Sequence, residues 1–160
     1  MPHIHSEPGQ LDLTVEVFIV LGDRVLLRCH DKFGIWLSVG GHVELEEDPP
    51  EAALREVREE VGLDVVLYDA NMRYRESSDG YIELPPPMFM CRVRVGDTHE
   101  HLTMTYVARA TTDAVVPSGP DRSDTWRWFT RGELSDASFD IKPSIRFYAE
   151  TALDTVGVPI

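Results

Sequence analysis

Three glutamates in the segment 41–63 have the spacing needed to share one side of a helix. Glu56, Glu59 and Glu60 are three and four residues apart, and a rotation of about 100° per residue places them on one arc. The like-charged pair Glu56 and Glu60 costs about 0.2–0.5 kcal/mol in an isolated helix, and no Lys or Arg follows four residues later to offset that cost. A hard divalent cation with oxygen ligands would do so. The segment is therefore predicted to be a metal-dependent active site.

The sequence also predicts where this helix begins and ends. Asp48 is a strong N-cap candidate, Pro49 suits the first helical position, and Glu51 completes a capping box. Gly62 is expected to close the helix in the left-handed conformation. The apolar residues on the neighbouring arc are predicted to face a core: Leu54, Val57 and Val61.

The remainder of the chain is predicted to form strands and one further long helix. Gly22-Asp23 is typical of a turn that joins the first two strands as a hairpin, and the polar, proline-ending segment 71–87 is expected to be a loop or an irregular hairpin. Residues 141–156 predict a terminal amphipathic helix. Strands are predicted at 11–21, 24–30, 35–39, 64–68, 88–95, 102–110 and 126–129.

The spacing within 41–63 resembles the complete Nudix box, and it is far more specific than a single glycine-rich motif. The resemblance implies a Nudix-type α/β/α sandwich with a mixed central sheet, here as a single domain over residues 1–160. The fixed positions of the box are filled by Gly41, Glu47, Arg55, Glu56, Glu59, Glu60 and Gly62, with Val57 and Leu63 at the aliphatic positions.

The same resemblance assigns roles to the acidic face. It implies that Glu56 and Glu60 are principal metal ligands and that Glu59 is either a further ligand or the catalytic base. It adds the backbone carbonyl of Gly40, in the preceding loop, as another ligand. The expected ion is Mg²⁺, with Mn²⁺ as the alternative.

Two further groups belong to this candidate site. Arg55 can hold the Glu59 carboxylate by a bidentate contact, and Glu47 could pair with Arg55 where the loop meets the helix. For these two, fixing the loop on the helix is favoured over direct catalysis. The resemblance also implies a base or extra ligand from a later acidic loop, for which Asp121 and Asp124 are the candidates, with a solvated loop as the alternative.

The resemblance implies hydrolysis of a nucleoside diphosphate linked to another group, giving two phosphorylated products. The metal neutralises charge on the phosphoryl oxygens, and a glutamate or hydroxide provides the nucleophile. Nucleoside triphosphates are the default substrate, because no accessory signature after Gly62 indicates NADH, coenzyme A or ADP-ribose. The alternatives are a catalytically inactive nucleotide-binding or sensor domain and a hydrolase of RNA 5′ ends.

Composition limits the partners. A formal net charge of −13 over 160 residues argues against binding to long nucleic acid or to an anionic membrane, because such binding depends on Lys and Arg. The expected partner is a small nucleotide, and a homodimer remains open. Cys29 and Cys91 are expected to be buried free thiols. No leader or run of 18 apolar residues is found, so a cytoplasmic location is expected.

Paired histidines are the remaining metal-binding pattern. His99 and His101 share one face of a strand, as do His3 and His5, and such pairs can bind a transition metal; exposed residues at a strand end are the alternative. His42 lies inside the box at a variable position and carries little weight.

Four aromatic residues and four arginines are candidates for contacts with a base or with phosphates. Trp126 and Trp128 are expected on one side of a strand, where core packing is favoured over stacking on a base. Phe33 and Trp36 are better candidates for a base pocket. The arginines that could counter substrate phosphates are Arg24, Arg28, Arg73 and Arg75.

Overall fold

The computed structural model describes residues 7, 9–30, 34–97, 99–118 and 125–157. Within these residues the elements are, in chain order, β1 (Leu11–Leu21), β2 (Arg24–His30), β3 (Ile35–Leu37), β4 (Val39–His42), α1 (Pro49–Val61), β5 (Val65–Leu67), β6 (Ser77–Ser78), β7 (Tyr81–Ile82), β8 (Phe89–Val95), β9 (His99–Ala110), β10 (Trp126–Thr130), α2 (Arg131–Leu134) and α3 (Pro143–Val156).

Strand β1 lies at the centre of a mixed sheet. It pairs in parallel with β9 and antiparallel with β2 and β4, so the predicted β1–β2 hairpin is confirmed. The strand order is β10-β2-β1-β9-β5, with β3 paired to β2, β4 to β1 and β8 to β9. The central position of β1 follows from its long apolar, β-branched sequence, which suits a strand covered on both faces.

Alternate side chains of β1 belong to two cores on opposite faces of the sheet. Val15, Val17 and Ile19 are buried in the core that α1 covers, whereas Phe18 and Val20 are buried in the core that α3 covers. This arrangement is the α/β/α sandwich with a mixed sheet that the sequence predicted. The helix residues that complete the two cores are Ala53, Val57 and Val61 from α1, and Ile145, Ala149 and Leu153 from α3.

Both ends of α1 have the predicted capping groups. Asp48 accepts a hydrogen bond from the backbone N–H of Glu51, whose side chain accepts one from the backbone N–H of Asp48. Gly62 adopts a left-handed conformation with φ of 67°. The predicted apolar arc is correct only in part, because Leu54 is half-buried and Ala53 takes the core position instead.

Two segments differ in kind from the strand predictions, and β9 begins at His99 where the strand was predicted from residue 102. The single strand expected at 35–39 is divided into β3 and β4 at Ser38, whose hydroxyl donates to Glu16 over 2.8 Å. The segment 71–87 contains the small β6–β7 hairpin. Of the two structures expected there, a loop or an irregular hairpin, the hairpin is therefore the one found.

Two further predictions concern the burial of the cysteines and the absence of a membrane-spanning segment. Cys29 and Cys91 are free thiols, as expected, but both are only half-buried. Burial raises the pKa of the Cys91 thiol. Among the described residues, no helix has the length and apolar composition to cross a membrane.

Gly62 provides a test of how tightly α1 is joined to the segment that follows β9. A Cβ atom at this position would overlap the carbonyl oxygen of Val116, whereas the left-handed Gly22 has open space around it. We expect Gly62→Ala to lower the free energy of unfolding by roughly 2–4 kcal/mol and Gly22→Ala by only about 1 kcal/mol. Urea denaturation of both variants measures the difference, and equal losses would contradict this account of the Gly62 contact.

Candidate active site

The site begins where β4 passes close to α1. A Cβ atom on Gly40 would overlap the backbone of β1 at Val15, and a Cβ atom on Gly41 would overlap the carboxylate of Glu56. Gly40 also has a φ of 153°, which favours glycine. The two glycines therefore allow β4 to lie directly between β1 and the acidic face of α1.

Glu60 is buried against the first of these glycines. The residue is 4% exposed, and its Oε2 accepts a hydrogen bond of 3.0 Å from the backbone N–H of Gly40. The Nε atom of Arg28, on β2, lies 2.9 Å from the same oxygen. Because a buried carboxylate requires a compensating charge, Arg28 stabilises Glu60.

The guanidinium of Arg55 joins the loop, the strand and the helix. It donates from Nε and Nη2 to the two oxygens of Glu47, over 3.0 and 2.6 Å, and from Nη2 to the carbonyl of His42 over 2.9 Å. Its Nη1 donates to Glu56 over 2.8 Å and to Glu59 over 3.3 Å. The bidentate contact expected with Glu59 is therefore made with Glu47 instead, and Glu59 receives a single, longer bond.

These contacts shift the pKa values of the pair. The Glu47 hydrogen bond is the largest contribution that raises the pKa of Arg55. For Glu47, partial burial acts to raise the pKa, but the hydrogen bonds from Arg55 and from the backbone of Glu44, with the charge of Arg55, lower it overall. Both groups are therefore charged near neutral pH, as a fixed ion pair requires.

Exposure divides the three helix glutamates into two kinds. Glu56 and Glu60 are 1% and 4% exposed, whereas the side chain of Glu59 is 33% exposed. Although no Lys or Arg follows these glutamates four residues later, they have basic partners, because Arg28 from a neighbouring strand and Arg55 from the same helix contact them. The pairing with Arg28 depends on the fold, so the helix sequence could not indicate it.

The other candidate residues lie in several places. Arg24 lies near Asp113, and Arg75 pairs with Asp69, so these two arginines already have carboxylate partners. The acidic-loop candidates Asp121 and Asp124 fall outside the described residues.

The aromatic candidates also lie in different parts of the fold. Trp36 packs edge-on against Phe129 and Phe139 and so contributes to the core on the α3 side. Trp128 is buried and Trp126 is exposed, so only Trp128 has the favoured core position. Phe33 lies outside the described residues.

Comparison with proteins of known sequence and structure agrees with this geometry. The NUDIX domain matches residues 11–150. A NUDIX-family hydrolase structure from Clostridium perfringens is 33% identical, with a TM-score of 0.78, and the match covers 89% of this chain and 96% of that one. The Escherichia coli dihydroneopterin triphosphate pyrophosphohydrolase is 20% identical, with a TM-score of 0.62, over 92% and 96% of the two chains, and so shows the fold alone.

Two curated relatives are named for reactions on RNA. The NAD-capped RNA hydrolase NudC of Pseudomonas aeruginosa is 37% identical over 73 residues, which are 44% of this chain and 24% of that protein. An RNA pyrophosphohydrolase of Gluconacetobacter diazotrophicus is 28% identical over 116 residues, which are 70% of this chain and 66% of that protein. The chain thus matches only about a quarter of the NudC relative.

Nudix enzymes generally use a divalent metal, and the oxygen-rich face of α1 suits one. Together with the two glycines, the capped helix and the mixed sheet, the match over residues 11–150 shows that this chain belongs to the NUDIX family.

Proposed function

We propose that this protein is a Mg²⁺-dependent hydrolase that cleaves a diphosphate linkage in a nucleoside diphosphate derivative, with nucleoside triphosphates as the default substrate. The observation that supports this most directly is the burial of Glu56 and Glu60 beside the partly exposed Glu59. A solvated acidic helix face would not bury two of its three carboxylates.

The donor set fits a hard cation. Glu56 and Glu60 offer buried carboxylate oxygens that would hold the ion, with the carbonyl oxygen of Gly40, whose N–H contacts Glu60, and the carboxylate of Glu59 as the further candidate ligands. Oxygen ligands are those that Mg²⁺ prefers, with Mn²⁺ as the alternative. When bound, the ion supplies neutralisation of charge on the phosphoryl oxygens and helps to activate the attacking water.

Side chains of this protein are assigned to proton acceptance and to positioning of the carboxylates. Glu59 is the most exposed of the three glutamates, which supports it as the base that accepts the proton of the attacking water, with a role as a further metal ligand as the alternative. Arg55 holds Glu59 and Glu56 and is itself fixed by Glu47. Attack of water on phosphorus breaks the P–O anhydride bond, so two phosphorylated products leave.

The names of the relatives add RNA to the candidate substrates of this protein. Two of the relatives are named as an NAD-capped RNA hydrolase and an RNA pyrophosphohydrolase, whereas the net charge argues against binding to long nucleic acid. Such a substrate carries a phosphoanhydride at one end of the RNA, where a metal held by the same carboxylates would contact it, so RNA ends belong with free nucleotides among the candidates. A homodimer and a cytoplasmic location remain predictions.

A substrate screen tests the proposed reaction. We expect turnover of at least one class among nucleoside triphosphates, nucleoside diphosphate sugars, dinucleotides, dinucleoside polyphosphates and capped or triphosphorylated RNA. The turnover requires Mg²⁺ or Mn²⁺ and stops with EDTA, as measured by chromatography of the products. The Glu56→Gln variant, purified in parallel, excludes a contaminating enzyme. Turnover in EDTA, or none with any class, would refute the proposal.

Replacing Glu60 tests the ligand assignment. We expect Glu60→Gln to lower kcat by at least about 100-fold, because the amide removes the ligand charge but its oxygen can still accept the N–H of Gly40. Circular dichroism checks that the fold is retained. Glu46→Gln makes the same chemical change on an exposed loop glutamate and should keep normal activity. Near-normal kcat for Glu60→Gln would exclude Glu60 as a principal ligand.

Replacing Arg55 tests its positioning role. A lysine ammonium cannot make the bidentate contact with Glu47, so we expect Arg55→Lys to lower kcat/KM by about 10–100-fold through displacement of Glu59 and Glu56. Glu47→Gln should have a smaller effect of the same kind, and the double variant should be no worse than Arg55→Lys, since the two residues act as a unit. Arg58→Lys, on an exposed arginine paired with Asp64, is the matched control. Fully additive losses would contradict the shared role.

A further inference from the structure

A second group of metal-ligating side chains lies outside the acidic face of α1. Asp12 on β1, His42 on β4 and His101 on β9 each offer one ligand atom, and these atoms all lie within 4.8 Å of one another. The strand register accounts for the convergence, because Asp12 is paired with His101 across the parallel β1–β9 ladder and His42 pairs with Thr14, two residues beyond Asp12.

The separations within this group suit one small ion. The Nε2 atom of His42 lies 3.2 Å from Oδ2 of Asp12, and the Nε2 atoms of His99 and His101 also lie 3.2 Å apart. Ligand atoms at about 2.0–2.1 Å from a tetrahedral zinc ion lie about 3.3 Å from one another. His99 is not one of the three residues whose ligand atoms converge, and its ring nitrogen contacts that of His101 from outside the group.

Burial adds a second reason to expect a cation. Asp12 is 0% exposed and His99 is 6% exposed, and the ring of His42 lies 5.1 Å from that of His101. The alternative predicted from the sequence, histidines exposed at a strand end, is wrong for His99. Two half-buried imidazoles that converge on a buried carboxylate form the three-residue ligand set of a zinc site that keeps one position open.

The group belongs to the opposite face of the sheet from the helix glutamates. A Cβ atom on Gly41 would meet Glu56, and successive side chains of a strand point to opposite faces, so His42 leaves β4 on the other side. On β1, Val15 and Val17 face α1. Asp12 is an odd number of residues away from both, so its side chain leaves the opposite face of the sheet. Glu100, between the two histidines, pairs with Arg92 and so does not join the group.

We propose that Asp12, His42 and His101 bind one divalent transition metal of the zinc class at a site separate from the glutamates of α1, with water in the fourth position. Imidazole nitrogen favours such metals over Mg²⁺, whereas the three carboxylates of α1 favour Mg²⁺. The ion joins β1, β4 and β9 at one end of the sheet. It also fixes His42, whose carbonyl oxygen accepts a hydrogen bond from Arg55.

Cobalt is the probe for the test, because Co²⁺ replaces zinc and its visible absorption reports ligand geometry. The full chain, freed of metal, is titrated with Co²⁺ in excess Mg²⁺, and Zn²⁺ binding is measured by calorimetry. We expect one equivalent to bind with a tetrahedral or five-coordinate spectrum. Asp12→Asn keeps the shape of the side chain, His101→Asn replaces the imidazole by a smaller amide, and each should weaken binding by more than about 10-fold.

Three controls separate this site from other ligands. Glu56→Gln and His30→Ala should bind Co²⁺ as the unaltered protein does, because neither side chain belongs to the group. A His3→Ala/His5→Ala double variant tests the other histidine pair in the sequence and should also bind normally. Binding that disappears in any of these controls, or that persists in His101→Asn, would overturn the proposal, as would the absence of binding in the unaltered protein.

Thermal unfolding provides a readout that does not depend on the spectrum. At a Zn²⁺ concentration about 100-fold above the Kd, the Tm of the unaltered protein should rise by about 5–10 °C. Asp12→Asn should unfold cooperatively without metal and show no such rise. An equal rise in Asp12→Asn and in the unaltered protein would place the bound ion elsewhere and refute the assignment.

Discussion

The close approach of β4 to α1 is the constraint on which the rest of this site depends. Gly41 has no room for a side chain because the Glu56 carboxylate occupies that place, and Gly40 brings its backbone N–H to Glu60. With the strand this near, water is excluded from two carboxylates that would otherwise be solvated. The glycines thus create a buried concentration of negative charge beside an accessible third glutamate.

That concentration of charge has to be balanced, and two arginines do so from different directions. Arg28 reaches Glu60 from β2, and Arg55 contacts Glu56 and Glu59 from the helix itself while Glu47 holds its opposite side. A guanidinium suits this role because its planar fork contacts several carboxylate oxygens at once. The same arginines that stabilise the carboxylates also fix their directions, so stability and positioning have one physical cause here.

How much of this could be predicted from sequence depends on the sequence separation of the groups. The capping box of Asp48 and the left-handed Gly62 were predicted correctly, because each depends on residues within one or two turns. The contact of Arg28 with Glu60 was not predicted, since it needs the pairing of strands across the sheet. The same holds for Asp12 and His101, which are brought together only by the parallel register of β1 and β9.

The histidines show why a motif can also conceal information. His42 lies at a variable position of the box, so the motif gave it no role, yet the strand alternation that directs Gly41 toward Glu56 directs His42 away from it. The two faces of β4 thus meet two different sets of side chains, three carboxylates on the α1 side and imidazoles with the single carboxylate of Asp12 on the other. The net charge of −13 gives no information on this difference, because it is a sum over the whole sequence, whereas the two groups of side chains differ locally. For the same reason it argues against long electrostatic contacts with RNA but does not exclude a nucleotide diphosphate, whose charge a divalent metal held by the carboxylates of α1 would neutralise.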